Sequence, residues 1–348
     1  MILVQNIYYM LSYAFCVLNE QGYKSIATEE FNNVSELCAA ILTIGISKQL
    51  KRGLGKEYVL HTDNLSSLKG KIDISESIKA RTILRRQMVC DFDDFSVNSK
   101  MNQIIKATVK LLIHHDVSKN RKKELRKLMV FFEEVEDIDI YNVDWHMQYN
   151  KNNQTYRMLI SVCYLVVKGL LQTKKDGTTK LMDFLDEQRM CRLYEKFILE
   201  YYKKEFPKLT ARASQIPWGL DDGIGIMLPI MQSDITLLKG EKVLIIDAKY
   251  YEHTTQTKFD KATLHSNNLY QIFTYVKNKE YELRNVPHEV AGMLLYAKTD
   301  EEVQPNNVYQ MSGNKISVKT LDLNCDFNMI KEQLDSIAVE FFGETIKG

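Results

Sequence analysis

The stretch Ser233-Asp234-Ile235-Thr236-Leu237-Leu238-Lys239-Gly240-Glu241-Lys242-Val243-Leu244-Ile245-Ile246-Asp247-Ala248-Lys249-Tyr250-Tyr251 decides how this 348-residue chain is read. Two apolar-rich runs, 226–237 and 243–250, flank a short turn containing Gly240, which is the signal of a β-hairpin. Four consecutive apolar residues, Val243 to Ile246, mark the second run as a strand buried on both faces. Alternate side chains of a strand share a face, so Asp247 and Lys249 point one way while Ile246 and Ala248 point the other. A carboxylate and an ammonium at the end of a buried strand are costly unless paired or metal-bound. The hairpin carries Asp234 toward Asp247. Two carboxylates beside one lysine form a hard-oxygen site suited to a divalent ion such as Mg²⁺, with the lysine placed to orient water or offset phosphate charge. An Asp-x-Lys step on a strand is by itself usually a solvated pair; the apolar embedding and the second aspartate set this one apart.

Outward from the hairpin, the spacing predicts a helix over 188–205 before it and another over 266–279 after it. An apolar run of strand length follows at 290–297, then short strands at 307–311 and 315–323 and an amphipathic helix at 327–342. This order, helix, hairpin, helix, strand, predicts a mixed sheet flanked by helices. The first half reads as helices over 4–19, 34–50, 99–115 and 120–132, with a small β element at 54–75 and a buried helix through 158–171. The whole is α+β or α/β: a helical N-terminal domain with a small β insertion over 1–175, then the sheet domain over 176–348.

Composition sets bounds. Lys and Arg total 46 against 45 Asp and Glu, a formal charge of +1, which excludes a uniformly basic nucleic-acid coat protein but permits a local basic face. The densest such run is Lys119, Arg121, Lys122, Lys123, Arg126 and Lys127, which suits DNA or an acidic partner surface as readily as a solvated helix face. The cysteines at 16, 38, 90, 163, 191 and 325 include no C-x-x-C pair, so reduced thiols in a cytoplasmic protein are expected. No apolar run reaches the length of a membrane span, and no Cys/His spacing suits zinc. Gly53-Leu54-Gly55-Lys56-Glu57 lacks the spacing and hydroxyl residue of a phosphate loop, so any nucleotide dependence must come from another polypeptide.

Asp234, twelve intervening residues, then Asp247-Ala248-Lys249 is similar to the core of PD-(D/E)xK nucleases, although Gln232-Ser233 stands where the naming proline would be. Gln271 and Tyr275, four apart on the following helix, resemble the Q-x-x-x-Y motif of the RecB-like branch, and Glu200 (with Glu195 as competitor) occupies the place of its preceding acid. Asn6-Ile7-Tyr8-Tyr9-Met10-Leu11-Ser12-Tyr13-Ala14, Arg52-Gly53-Leu54, Leu68-Lys69-Gly70-Lys71-Ile72 and His265-Ser266-Asn267-Asn268-Leu269-Tyr270-Gln271 extend the likeness. In order and approximate spacing they resemble the McrC nuclease subunits of McrBC modification-dependent restriction systems.

That resemblance implies Mg²⁺-dependent cleavage of methylcytosine-containing double-stranded DNA. It also implies docking on, and stimulation of, a McrB-like AAA+ GTPase ring by the N-terminal half. Asp234, Asp247, the Ala248 carbonyl and Glu200 are the expected metal ligands. Lys249 is the expected water-positioning group, and Gln271 and Tyr275 the expected supports. Lys258, Lys261 and His265 are candidate DNA contacts, and Ser266 and Asn267 candidate helix caps. Lys51, Arg52 and Lys56 are candidates for the ring-contacting tip. The competing readings are a non-catalytic activator or scaffold of the GTPase, and a stand-alone RecB-like repair nuclease. The intact Asp, Asp and Lys weigh against the first, and the large N-terminal half against the second.

Overall fold

A computed structural model describes residues 2–15, 18, 23, 26, 29, 31, 33–149, 153–176, 187–251, 255–258 and 261–346. The chain forms two compact units, one of residues 33–175 and one that joins residues 1–32 to 176–348. The expected N-terminal domain is therefore corrected at its beginning. Helix α1 (Val4–Ala14) belongs with the C-terminal half for physical reasons. Asn6 Nδ2 donates to the carbonyls of Leu323 and Cys325 at 2.8 Å each. Tyr9 stacks on Phe327 with ring centroids 4.2 Å apart, and the Tyr13 hydroxyl donates to Glu205 at 2.7 Å.

In the unit 33–175, α2 (Val34–Arg52) is capped by Asn33, whose side chain accepts from the Glu36 amide, and buries Leu37, Cys38, Ala39, Ala40, Ile41 and Leu42 completely. Strands β1 (Glu57–Leu65), β2 (Lys71–Asp73) and β3 (Met88–Ser96) form an antiparallel sheet in the order β1-β3-β2. The sequence reading found the first two and missed β3. That strand carries Asp91, Asp93 and Asp94, which hide its pattern, and much of this sheet is exposed, Tyr58, Leu60 and Phe95 included. The expected strand through residue 75 stops at Asp73 because that side chain caps the short helix α3 (Ile74–Lys79), accepting from the Glu76 amide at 2.9 Å. Helices α4 (Lys100–His114), α5 (Lys119–Met129) and α6 (Gln154–Asp176) complete the unit. The helix expected through 158–171 begins earlier, at Gln154, and continues to Asp176.

In the other unit, α7 (Glu187–Glu205) leads to β4 (Thr210–Arg212), then to the short pair β5 (Gln215–Ile216) and β6 (Met231–Gln232). Strands β7 (Ile235–Lys239) and β8 (Lys242–Lys249) follow, then β9 (Thr255–Lys258), β10 (Lys261–Leu264), α8 (Ser266–Leu283), β11 (Glu289–Ala297), β12 (Asn307–Met311), β13 (Asn314–Leu321) and α9 (Phe327–Phe342). Six strands form one mixed sheet in the order β12-β13-β11-β8-β7-β4, with β8, β11 and β13 parallel. The central hairpin pairs Ile235 with Ile246 and Lys239 with Lys242, and Gly240 supplies the positive φ of 58° that its two-residue turn needs. The expected strand over 226–237 is shorter than read. Pro229 interrupts it, Met227 has φ 67°, and Ile226 and Met227 are 83% and 97% exposed.

Val243, Ile245, Ile272, Val276, Val290, Leu294, Ile316 and Val318 form the core on the α8 side of the sheet. Gly292 lets α8 sit this close, because a Cβ there would lie 2.8 Å from Val276 and 2.9 Å from Ile272. The alternate residues Leu244, Ile246 and Ala248 bury against the opposite layer. That layer holds together through Tyr202, whose hydroxyl donates to the Leu334 carbonyl at 2.9 Å, and Tyr201, which donates to Asp335 at 2.7 Å. Among the described residues no helix is long and apolar enough to cross a membrane.

Candidate active site

The pleat of β8 does what the sequence predicts. Asp247 and Lys249 emerge on the α8 face, where Lys249 Nζ lies 2.9 Å from Asp247 Oδ2. Continuing the hairpin register by one residue beyond Ile235 and Ile246 brings Asp234 opposite Asp247. Asp234 is fixed there because its Oδ2 accepts the Ala248 amide at 2.9 Å. On the helix side, Lys249 Nζ donates to Gln271 Oε1 at 3.3 Å, and Gln271 Nε2 donates to the Tyr275 hydroxyl at 2.8 Å. Two residues four apart on α8 thus become a single brace for the amine. Asp234, Asp247, Lys249, Gln271 and Tyr275 are brought together as read.

The electrostatics follow from burial. Asp247 is 1% exposed, and burial pushes its carboxyl above the ordinary aspartate range against the opposing charge of Lys249. Burial first, then the charges of Asp247 and Glu195, push Asp234 up to about 8. Burial works against the charge on Lys249, but Asp247 beside it outweighs that and raises the lysine above its usual value. Burial and the mutual repulsion of Asp234 and Asp247 thus both work against ionising the two carboxyls together.

One observation tests whether a metal suits these residues. Among the described residues Asp247 Oδ1 is buried with no hydrogen-bond partner, and the Lys249 ammonium, 2.9 Å from Oδ2, faces the other oxygen. A buried charged acceptor left unsatisfied is the feature that a cation corrects. Among the described residues no three His, Cys, Asp or Glu side chains converge into a cage of their own. A set of two carboxylates completed by main chain and water matches an ion that keeps several waters, as Mg²⁺ does. The donor set fits.

The two candidate accessory acids, Glu200 and Glu195, lie on different sides of α7. Glu200 pairs with Lys203 along the helix at 2.8 Å, side chain to side chain. Five residues along α7 rotate a side chain by about 140°, so Glu200 and Glu195 cannot share a face. Glu195 is the acid whose charge reaches Asp234, Asp247 and Lys249. Burial raises its own carboxyl, while the Cys191 thiol, one turn earlier, donates to its Oε1 at 3.0 Å. That thiol is pushed up to about 12, chiefly by burial, and so stays a donor. The i, i+4 spacing of Cys191 and Glu195 was the available signal for this pair.

The other candidates fall in different places. The backbone sets Lys258 opposite Lys261 across the β9–β10 pair, and their side chains lie outside the described residues. His265 occupies the cap position of α8 without capping it by its ring, so neither Ser266 nor Asn267 is the cap; both are helical. The His265 ring lies 5.3 Å from that of Tyr251, whose hydroxyl donates to Asn268 Oδ1 at 3.3 Å, and Asn268 Nδ2 donates to Tyr296 at 3.0 Å. This polar chain beside the acids was not anticipated. Lys51, Arg52 and Lys56 belong to the unit 33–175, where all three are exposed at and just after the end of α2.

The family model for the McrBC 5-methylcytosine restriction system component matches residues 4–297. The chain belongs to this family. The resemblance read from the sequence is borne out, and the McrBC match spans both units. The chain is 29% identical over 346 residues to the "Type IV methyl-directed restriction enzyme EcoKMcrBC" of Escherichia coli (strain K12), covering 97% of each. A half-complex from a tetradecameric assembly of Thermococcus gammatolerans McrB AAA+ hexamers with bound McrC covers 93% of this chain and 75% of its own, at 16% identity and TM-score 0.44. The Thermococcus gammatolerans McrBC complex covers 58% of each chain, at 17% identity and TM-score 0.40. Both of these structural likenesses are distant.

Proposed function

We propose that this McrBC-family chain is the nuclease subunit of a restriction complex, hydrolysing phosphodiesters of methylcytosine-containing DNA in partnership with a McrB-like AAA+ GTPase whose hydrolysis it stimulates. The observation that carries this reading is the buried Asp247–Lys249 pair facing Asp234 across the hairpin, with Asp247 Oδ1 buried and without a hydrogen-bond partner among the described residues. The hairpin placement of Asp234, Asp247 and Lys249 supports reading this unit as a PD-(D/E)xK core. Asp234, Asp247 and the Ala248 carbonyl would hold Mg²⁺, with Glu195 in place of Glu200 as the accessory acid. When bound, the ion supplies Lewis acidity at the scissile phosphate.

Everything else is the work of the chain. Lys249, held between Asp247 and Gln271, presents its ammonium where it orients the attacking water and offsets charge on the phosphate. Tyr275 keeps the Gln271 amide in the orientation that leaves Oε1 facing the lysine. The family match and the relative's name support methylated DNA as substrate. The family's description as one component of a restriction system supports a partner polypeptide as well.

The test is cleavage of methylated and unmethylated duplex DNA with Mg²⁺ or EDTA, with and without the AAA+ protein. Cutting that requires methylation, metal and partner together is the expected result. Stimulated GTP hydrolysis without any cutting supports the scaffold reading instead, and cutting indifferent to the partner supports the stand-alone one. The accessory acid is resolved in the same assay. Glu195→Gln is expected to weaken the Mg²⁺ requirement curve and cleavage by about 10-fold or more, whereas Glu200→Gln stays within about 2-fold of the parent.

A further inference from the structure

The proposed chemistry leaves one strong feature unused, the basic run on α5. The helix buries Leu125 fully and turns Arg121 inward to Glu36, at 3.7 Å, and to Glu124, at 3.2 Å. Ser118 caps it and is itself held by Glu36, which accepts the Ser118 amide at 2.7 Å and its hydroxyl at 2.8 Å. With that side anchored, Lys119, Lys122, Lys123, Arg126 and Lys127 are left. Their positions follow i, i+3, i+4, i+7 and i+8, which is one continuous stripe of an α-helix. Four are exposed and Lys122 is half-buried. Among the described residues none of these five side chains has an ion-pair or hydrogen-bond partner. The stripe spans about 12 Å. The exposed acids Glu133 and Glu134 lie beyond the end of the helix and bound the stripe in sequence.

Helix stability does not account for this arrangement. No acid stands in the first turn, and Lys119 and Lys122 oppose the positive end of the helix dipole there. A protein partner is the weaker fit as well, since lysine is depleted from protein–protein interfaces, which favour aromatic, Met and Arg side chains around an apolar core. Phosphates take lysines as point charges without regard to base sequence. We infer that the stripe Lys119, Lys122, Lys123, Arg126 and Lys127 is a sequence-independent contact for the phosphate backbone of duplex DNA. It gives the unit 33–175 a hold on the substrate separate from the acid cluster. The inference rests on the reading of DNA as substrate.

The test is binding of the full-length chain to a fluorescent unmethylated duplex, followed by anisotropy across a salt series. Glutamine at all five positions (K119Q, K122Q, K123Q, R126Q, K127Q) is expected to weaken binding more than about 10-fold at low salt. The slope of log affinity on log salt should flatten by about 0.9 for each phosphate no longer neutralised, about 3 or more in all. Arginine at the four lysine positions should retain the slope, and an unchanged melting temperature in both variants shows that the fold is intact. An unchanged slope in the glutamine variant overturns the inference, and so does a variant that binds DNA normally but loses the AAA+ protein. Partner-dependent cleavage by the parent chain, run in parallel, separates the two readings. Cleavage with an unchanged slope sinks the stripe alone, while a parent that neither binds nor cuts duplex sinks both.

Discussion

Asp247→Asn is expected to lower partner-dependent DNA cleavage by about 1,000-fold or more while stimulation of GTP hydrolysis by the AAA+ partner persists. The substitution keeps the shape of the side chain and removes the charge that both Lys249 and a divalent ion would use. Losing one preorganised electrostatic contact at a reacting centre costs about 10²–10³ in rate, and here a metal ligand and the partner of the lysine disappear together. The position is buried in the middle of the sheet, so the comparison needs a melting curve to show that the variant is folded. A direct measure, such as Mn²⁺ titration of the isolated chain, should show weakened binding. A folded variant that still cuts within about 10-fold of the parent removes Asp247 from the site.

Lys249→Gln is the second large effect, with the opposite consequence for metal. Cleavage is expected to fall by about 100-fold to 1,000-fold, because the ammonium that orients water and offsets phosphate charge is gone. Divalent-ion binding should hold or tighten, since a cation has left the two carboxylates of Asp234 and Asp247, which the charge of Glu195 also reaches. Lys249→Arg should not restore the rate: a planar guanidinium does not reproduce a compact ammonium wedged between Asp247 Oδ2 and Gln271 Oε1. Single-turnover cleavage set beside a Mn²⁺ titration separates these outcomes. Parallel loss of both activities would mean that the lysine supports the fold rather than the reaction.

The site was legible because strand periodicity is strict. Val243 to Ile246 mark a buried strand, from which the face shared by Asp247 and Lys249 follows, and the short turn at Gly240 delivers Asp234. The helix side was legible through the four-residue spacing of Gln271 and Tyr275. Glu195 and Glu200 were harder. Both sit on an amphipathic helix, and only packing tells which side of α7 looks toward the end of β8. Strand β3 escaped notice because its exposed acids supply no apolar alternation, and β4 because an edge strand of three residues carries almost no signal. The α1 placement was beyond any local reading, since Asn6 meets its acceptors more than 300 residues away.

That last pairing affects how the protein is made. Residues 33–175 amount to an insertion between a helix and the rest of its own unit. At ribosomal speeds of about 5–20 residues per second, α1 emerges some 15–60 s before Phe327 and Leu323 exist to receive it. Until then Ile7, Met10, Leu11 and Tyr13, all buried in the folded unit, lack the neighbours that the C-terminal residues supply. A polypeptide halted at residue 175 never gains those neighbours. A stand-alone version of the acid-bearing unit is made by splicing the first 32 residues onto 176, not by trimming from the amino end.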